Sequence, residues 1–217
     1  MTWQWLAPLM VAAALAALSP RMLRALPPPS DEPLSRPYDA LATPGFALVS
    51  FVLIAVAGTV VLALAPAYTW AWLGLGTVGV LAALVDARTG YLPAVLMRIG
   101  WLLTAAGLVT TAAISGDWQV LIRGAGGALA AGALFWVFHR FGGGFGFGDV
   151  RLAPIIAAPA AAQSWTMLAG ALLLGGLLGV AWGLVWQALG RGRSFPYGPA
   201  LVAGPYLALI ATAALPP

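Results

Sequence analysis

Six acidic side chains and one histidine are all that 217 residues offer for proton chemistry. Asp31, Glu32 and Asp39 lie in a polar, proline-rich stretch and need no special account. Asp117 sits in a short turn beside Trp118 and reads as the cap of the helix that follows. That leaves Asp86 and Asp149. Asp86 directly follows the apolar run Val78–Val85, and Asp149 closes the run Gly142-Gly143-Gly144-Phe145-Gly146-Phe147-Gly148 just before another apolar segment. Singly, each has a plain reading: Asp149 as a helix N-cap, Asp86 as a helix-end residue partnered by Arg88. As a pair at one boundary they form the minimum equipment for acid–base hydrolysis. Two carboxyls a few Å apart do not easily both ionise, so one keeps its proton. The ionised member takes a proton from water, and the protonated member serves the substrate carbonyl. The glycines before Asp149 leave backbone open to an extended substrate strand.

Other chemistries find little here. With no Cys, there are no disulfides, thiolate metal sites or cysteine nucleophiles. His139, Asp149 and Asp86 make a thin metal-ligand set, and His139 reads more simply as the polar end of an apolar helix. Gly142–Gly148 lacks the Lys-Ser/Thr of a phosphate-binding loop and the strand context of a dinucleotide fold. No metal or other cofactor is therefore expected. The net charge of +4 is scattered and gives no case for nucleic-acid binding.

The elements that must hold the two carboxyls are set by composition. With 62% hydrophobic and 7% charged residues, the chain cannot coat a globule with solvated side chains, nor is it disordered. The expected class is an all-α, polytopic integral membrane protein whose partner is the lipid bilayer. Apolar segments read as spans at Thr2–Leu18, Phe46–Ala65, Trp70–Val85, Ala94–Ile114, Val120–Phe138, Val150–Ala162, Trp165–Leu189 and Pro199–Leu215. That is eight helices, or seven if the 13-residue segment 150–162 does not cross. The first segment also has features of a signal peptide, but its start carries no basic residue while Arg21 and Arg24 follow it. Residues 1–18 are thus read as an uncleaved helix, 19–45 as a cytoplasmic Pro-rich loop, and 46–217 as the membrane-embedded domain. Arg88 and Arg98, Arg140 and Arg151, and Arg191 and Arg193 flank three connections, which the positive-inside rule places in the cytoplasm. Both termini then lie outside. The glycine-rich faces of residues 124–132 and 170–183 suit close helix packing. Ten Arg and no Lys, in a chain rich in Ala, Gly, Leu and Pro, is a composition found in GC-rich bacterial genomes.

Gly146-Phe147-Gly148-Asp149 fits the GxGD signature, and Val150-Arg151-Leu152 continues it in the prepilin-peptidase form. Asp86-Ala87-Arg88-Thr89-Gly90-Tyr91-Leu92-Pro93 is similar to that family's first catalytic motif, and Phe195-Pro196-Tyr197-Gly198-Pro199 to its late segment. The three stretches stand in the family's order. Over about residues 46–215, the sequence resembles the prepilin peptidases among the GxGD intramembrane aspartyl proteases.

The resemblance implies a plasma-membrane peptidase that removes the short basic leader from type IV pilin-like precursors at the cytoplasmic boundary. It makes Asp86 and Asp149 the catalytic pair, with Gly146, Gly148, Arg88, Arg151, Pro93, Gly198 and Pro199 as supporting residues. Longer members carry a Cys-containing domain after the first span that methylates the new pilin N-terminus. Here residues 19–45 take that place without Cys, so the expectation is a short form without methyltransferase activity. Presenilin-like proteases share the GxGD idea and the Pro199-Ala200-Leu201 tripeptide, but Val85 stands where they usually have Tyr. Two other classes stay open: a non-catalytic homologue or scaffold, and a proton- or cation-coupled transporter using the Asp pair. The transporter predicts acids deeper in the spans and a repeat symmetry, and neither is visible.

Overall fold

A computed structural model describes residues 6–27, 37–142, 145–190 and 195–214. The expectations for residues 2–5, for Asp31 and Glu32, for Gly143 and Gly144, for Arg191 and Arg193, and for Leu215 lie outside the described residues. Among the described residues the chain is all-helical, without strands. The helices are α1 (Leu6–Ala25), α2 (Pro44–Leu64), α3 (Val80–Thr89), α4 (Ala94–Ser115), α5 (Gln119–Val137), α6 (Phe147–Gln163), α7 (Trp165–Ala188) and α8 (Gly198–Ala214).

Five helices are long and apolar enough to cross a membrane: α1, α2, α4, α5 with its following turn, and α7. Their outer faces carry Leu48, Val52, Val56, Leu102, Leu129, Leu173, Leu177 and Leu184, all exposed. An apolar surface of that extent is suited to lipid and not to water.

Two expected boundaries move. The first helix does not stop at Leu18 but runs through Ser19 and Pro20 to Ala25. Pro20 cannot donate to the Ala16 carbonyl four residues back. Instead the buried Ser19 hydroxyl donates to that carbonyl at 2.9 Å, so the polar group is satisfied and the helix continues. The 19–45 segment is likewise less featureless than its prolines suggest. It ends in a 3₁₀ turn, Tyr38–Leu41, whose Tyr38 and Leu41 are buried. Thr43 then caps α2, accepting from the Phe46 amide at 3.2 Å, with Pro44 in the first turn.

The segment expected to span from Trp70 begins as turns. It becomes helical through a π-helical stretch, Leu75–Gly79, and passes into α3. Asp86 is therefore inside α3, one turn before its end, and not at a loop junction. Asp149, similarly, is the third residue of α6, which starts three residues earlier than the apolar run.

α3 and α6 are the inner helices. From Leu152 to Ala162, α6 is buried except at Pro154, and α3 buries seven of its ten residues. α6 is enclosed by α4, α5, α7 and α8. Its six buried alanines, together with Gly124, Gly127 and Ala131 on the facing side of α5, let the backbones approach closely. A Cβ on Gly127 would run into the Ala161 methyl. The α7 glycines do related work. Gly175 meets the Ala200–Leu201 backbone, Gly179 seats the Tyr197 ring and Gly183 seats Phe195. The packing reading of these glycine faces therefore holds at Gly124, Gly127, Gly175, Gly179 and Gly183, while a Cβ on Gly176 would meet nothing within 4 Å.

Candidate active site

The two carboxyls come from the two inner helices, and both helices present them at the same end of the bundle. Asp86 is 5% exposed and Asp149 8% exposed. Asp86 Oδ2 accepts from the Gly198 amide at 2.9 Å, where α8 begins. Asp149 Oδ2 accepts from the Gly146 amide at 3.0 Å, and the Asp149 amide returns a bond to the Gly146 carbonyl at 3.1 Å. Asp149 is therefore not the N-cap expected of it: Gly146 is, and Asp149, at the third helical position, bonds back to the Gly146 amide. Nor does Arg88 pair with Asp86. Among the described residues the one ion pair joins Arg123 to Asp117 at 3.3 Å, and Arg88 is exposed. The nearby α8 amide takes the role that the sequence offered to Arg88. Neither carboxyl's second oxygen takes a hydrogen bond from a described residue, so each retains one oxygen for a substrate or water.

The loops around the pair fit one another. Gly90 closes α3 in the left-handed region at φ 71°, with its amide donating to the Asp86 carbonyl at 2.7 Å. The Thr89 hydroxyl donates to the Val85 carbonyl at 2.9 Å and accepts from the Tyr91 amide at 3.2 Å, which fixes the turn. Leu92 then packs against Gly148, where an added Cβ would stand 2.9 Å from the Leu92 Cβ. A Cβ on Gly198 would stand 2.8 Å from Asp86 Oδ2. Gly148 and Gly198 are therefore demanded by space. Gly146 is not, since its nearest such contact is an ordinary 3.7 Å. Pro93 is buried at the head of α4 and Pro199 follows Gly198 in the first turn of α8. Arg151 lays its guanidinium over the Phe147 ring at 4.6 Å, and its carbonyl accepts from Trp101 Nε1 at 2.7 Å. It holds α6 to α4 and covers Phe147.

Several contributors were not singled out as site residues in the sequence. Phe145 packs edge-on against Tyr197 at 5.0 Å and stacks on Phe138 at 5.7 Å, which ties the loop before Asp149 to the segment before Gly198. His139 lies in the π-helical turn Phe138–Gly142, with Nδ1 2.8 Å from the Phe145 carbonyl and its ring 5.4 Å from that of Phe147. Tyr38 comes from the loop before α2 and lies near enough to Tyr91 and Asp86 to sense both. A Phe-Gly-Phe pattern inside a glycine run was the available signal for Phe145. For Tyr38 there was none.

Asp86 and Asp149 stand one residue beyond the apolar runs that end at Val85 and begin at Val150. Burial raises both above the ordinary carboxylate range. For Asp86 the Gly198 amide opposes the rise and the Asp149 charge adds to it. For Asp149 the Gly146 amide and then His139 oppose it. Burial, and then the Asp149 charge, also raise Tyr197. Among the described residues no three His or acidic side chains gather to hold a metal ion.

No family model, no curated protein and no solved structure matches this chain. The functional reading therefore rests on the motifs and on the geometry just described.

Proposed function

We propose that this protein is a membrane aspartyl endopeptidase of the prepilin-peptidase kind. It removes the basic leader of pilin-like precursors and does not methylate the product. The observation that carries the reading is the pairing of two buried carboxyls from separate inner helices at one end of the bundle. Each spends one oxygen on a backbone amide and keeps the other. The ionised carboxyl takes a proton from water as the water oxygen bonds to the scissile carbonyl carbon, while the protonated one gives its proton to the carbonyl oxygen. As the C–N bond breaks, the carboxyl that took water's proton gives it to the leaving amine, and the other carboxyl takes a proton from a diol hydroxyl as the new carboxylic acid forms, which restores the pair. In this reading eight apolar segments cross a bacterial plasma membrane, α3 doing so together with the π-helical stretch before it, and Asp86 and Asp149 stand at the ends of theirs. α3 and α6 serve as inner spans, and α8 is a third span shorter than the five long ones. The carboxyl end of the bundle faces the cytoplasm, where a basic leader remains while the precursor's apolar helix lies in the bilayer.

Co-expression with a pilin-like precursor in bacterial membranes, followed by mass spectrometry of the precursor's N-terminus, tests this directly. The reading expects a leader lost at the junction with the apolar helix and a free, unmethylated amine. Intact precursor across several pilin-like substrates would reject the peptidase. A methylated amine, in cells lacking another methyltransferase, would reject the short-form assignment.

A further inference from the structure

The backbone amides that hold the two carboxyls share a local arrangement. Asp149 is held by the Gly146 amide and Asp86 by the Gly198 amide. The residue directly before each amide is aromatic: Phe145 before Gly146, and Tyr197 before Gly198. Those two rings meet edge-on, with centroids 5.0 Å apart and planes at 85°. A peptide unit is planar, so a carbonyl held in place also holds the amide across the same bond. Both carbonyls are held. The Phe145 carbonyl accepts from His139 Nδ1 at 2.8 Å, and the Tyr197 carbonyl accepts from the Leu201 amide at 3.2 Å in the first turn of α8. The rings are anchored in turn on outer helices. Phe145 packs against Phe135 of α5 at 5.3 Å. Tyr197 lies over Gly179 of α7, where a Cβ would run into the ring, and its hydroxyl donates to the Gly176 carbonyl at 3.4 Å. The two donor amides are thereby joined through two rings in contact.

We propose that Phe145 and Tyr197 are positioning residues: their ring contact holds the Gly146 and Gly198 amides at a fixed separation, and through them sets the two carboxyls against each other. A loosened contact leaves each carboxyl bonded to its own amide but lets the two drift apart. The catalytic consequence rests on the peptidase reading, but the link between the two amides does not.

NMR of the protein in lipid nanodiscs, labelled in glycine nitrogen and in the carbonyl carbon of one other residue type, reads chosen amides without substrate. Tyr197-Gly198 is the one Tyr-Gly step in the sequence, so carbonyl-labelled tyrosine isolates the Gly198 amide. Carbonyl-labelled phenylalanine selects the Gly142, Gly146 and Gly148 amides, and Gly146→Ala identifies the middle one. Phe145→Leu should shift the Gly198 signal and Tyr197→Leu the Gly146 signal, each far along the chain from the change. Gly179→Ala should shift the Gly146 signal as Tyr197→Leu does, although α7 lies outside both loops. Tyr197→Phe keeps the ring and should restore that signal. No such cross-shift in folded Leu variants, judged by a monodisperse elution profile, would overturn the link. In cleavage assays each Leu variant should lower kcat by roughly 10²-fold with KM little changed, the scale of a displacement of about 1 Å. The double variant should be no worse than the poorer single one, and Tyr197→Phe should restore the rate. Losses that multiply, or full activity in variants with shifted signals, would overturn the positioning role. Cross-shifts in a protein that cleaves no precursor would sink the peptidase and leave the link standing. Cleavage by the wild type, with no cross-shift in the folded variants, would do the opposite.

Discussion

Asp86 and Asp149 hold protons more tightly in the fold than they would in an unfolded chain, chiefly because burial penalises their charge. The folded state therefore binds more protons over that interval, and stability must fall as pH rises through it. The contribution is fully present below the ordinary carboxylate range and is lost as pH climbs through the raised values. Asp86→Asn removes one of the two titrations while keeping an oxygen for the Gly198 amide. Its melting temperature in detergent should change less between mildly acidic and alkaline pH than that of the wild type, and should exceed it on the alkaline side. Equal pH dependence in both proteins would show that Asp86 is not a buried, perturbed carboxyl. At this scale the sequence was informative because acids are scarce. Once the loop and cap acids are set aside, two remain. Tyr38, His139 and Phe145 were harder to see, because their roles arise from contacts between separate loops and not from spacing.

At the scale of elements, the site depends on where helices start and stop. α3 must run past Asp86 to a left-handed stop at Gly90, and α8 must start at Gly198 so that its first amide meets the Asp86 carboxyl. The motif glycines are then not equivalent. Gly198→Ala should push Asp86 off its amide and cost about 1–3 kcal/mol of stability, the usual range for an unpaired buried polar group. Cleavage should be lost with it. Gly146→Ala, with open space and an ordinary backbone conformation at φ −70°, should fold with wild-type stability. Thermal melts of the two variants decide this, and equal destabilisation would contradict the packing account. Most helices were legible from apolar length alone, and α2, α4 and α7 begin or end within two residues of their expected bounds. α1 was misjudged because Pro20 looks like a stop until the Ser19 hydroxyl is placed on Ala16. The π-helical entry to α3 left no periodic signal, since that segment is buried on all sides.

The whole molecule is a set of outer apolar helices around two inner ones, and the inner ones bear the acids. This arrangement puts the carboxyls at one end of the bundle, which is where the proposed cleavage requires them. The absence of Cys makes the orientation directly measurable. A single Cys at position 116 or 164 should react with an impermeant thiol reagent from outside the cell, and one at position 90 or 142 only after the membrane is opened. Labelling of positions 142 and 164 from the same side would mean that α6 does not cross. Cleavage should also persist in EDTA, because acid–base work by the pair needs no metal. The central claim is that Asp86 and Asp149 act as one unit. The most direct test compares cleavage of one precursor by the wild type, by Asp86→Asn, by Asp149→Asn and by the double variant, all confirmed to be inserted. The account predicts that each single change lowers the rate by roughly 10²–10⁴-fold or more and that the double variant is no worse than either. Near-normal cleavage by either single variant, or losses that multiply in the double variant, would contradict it.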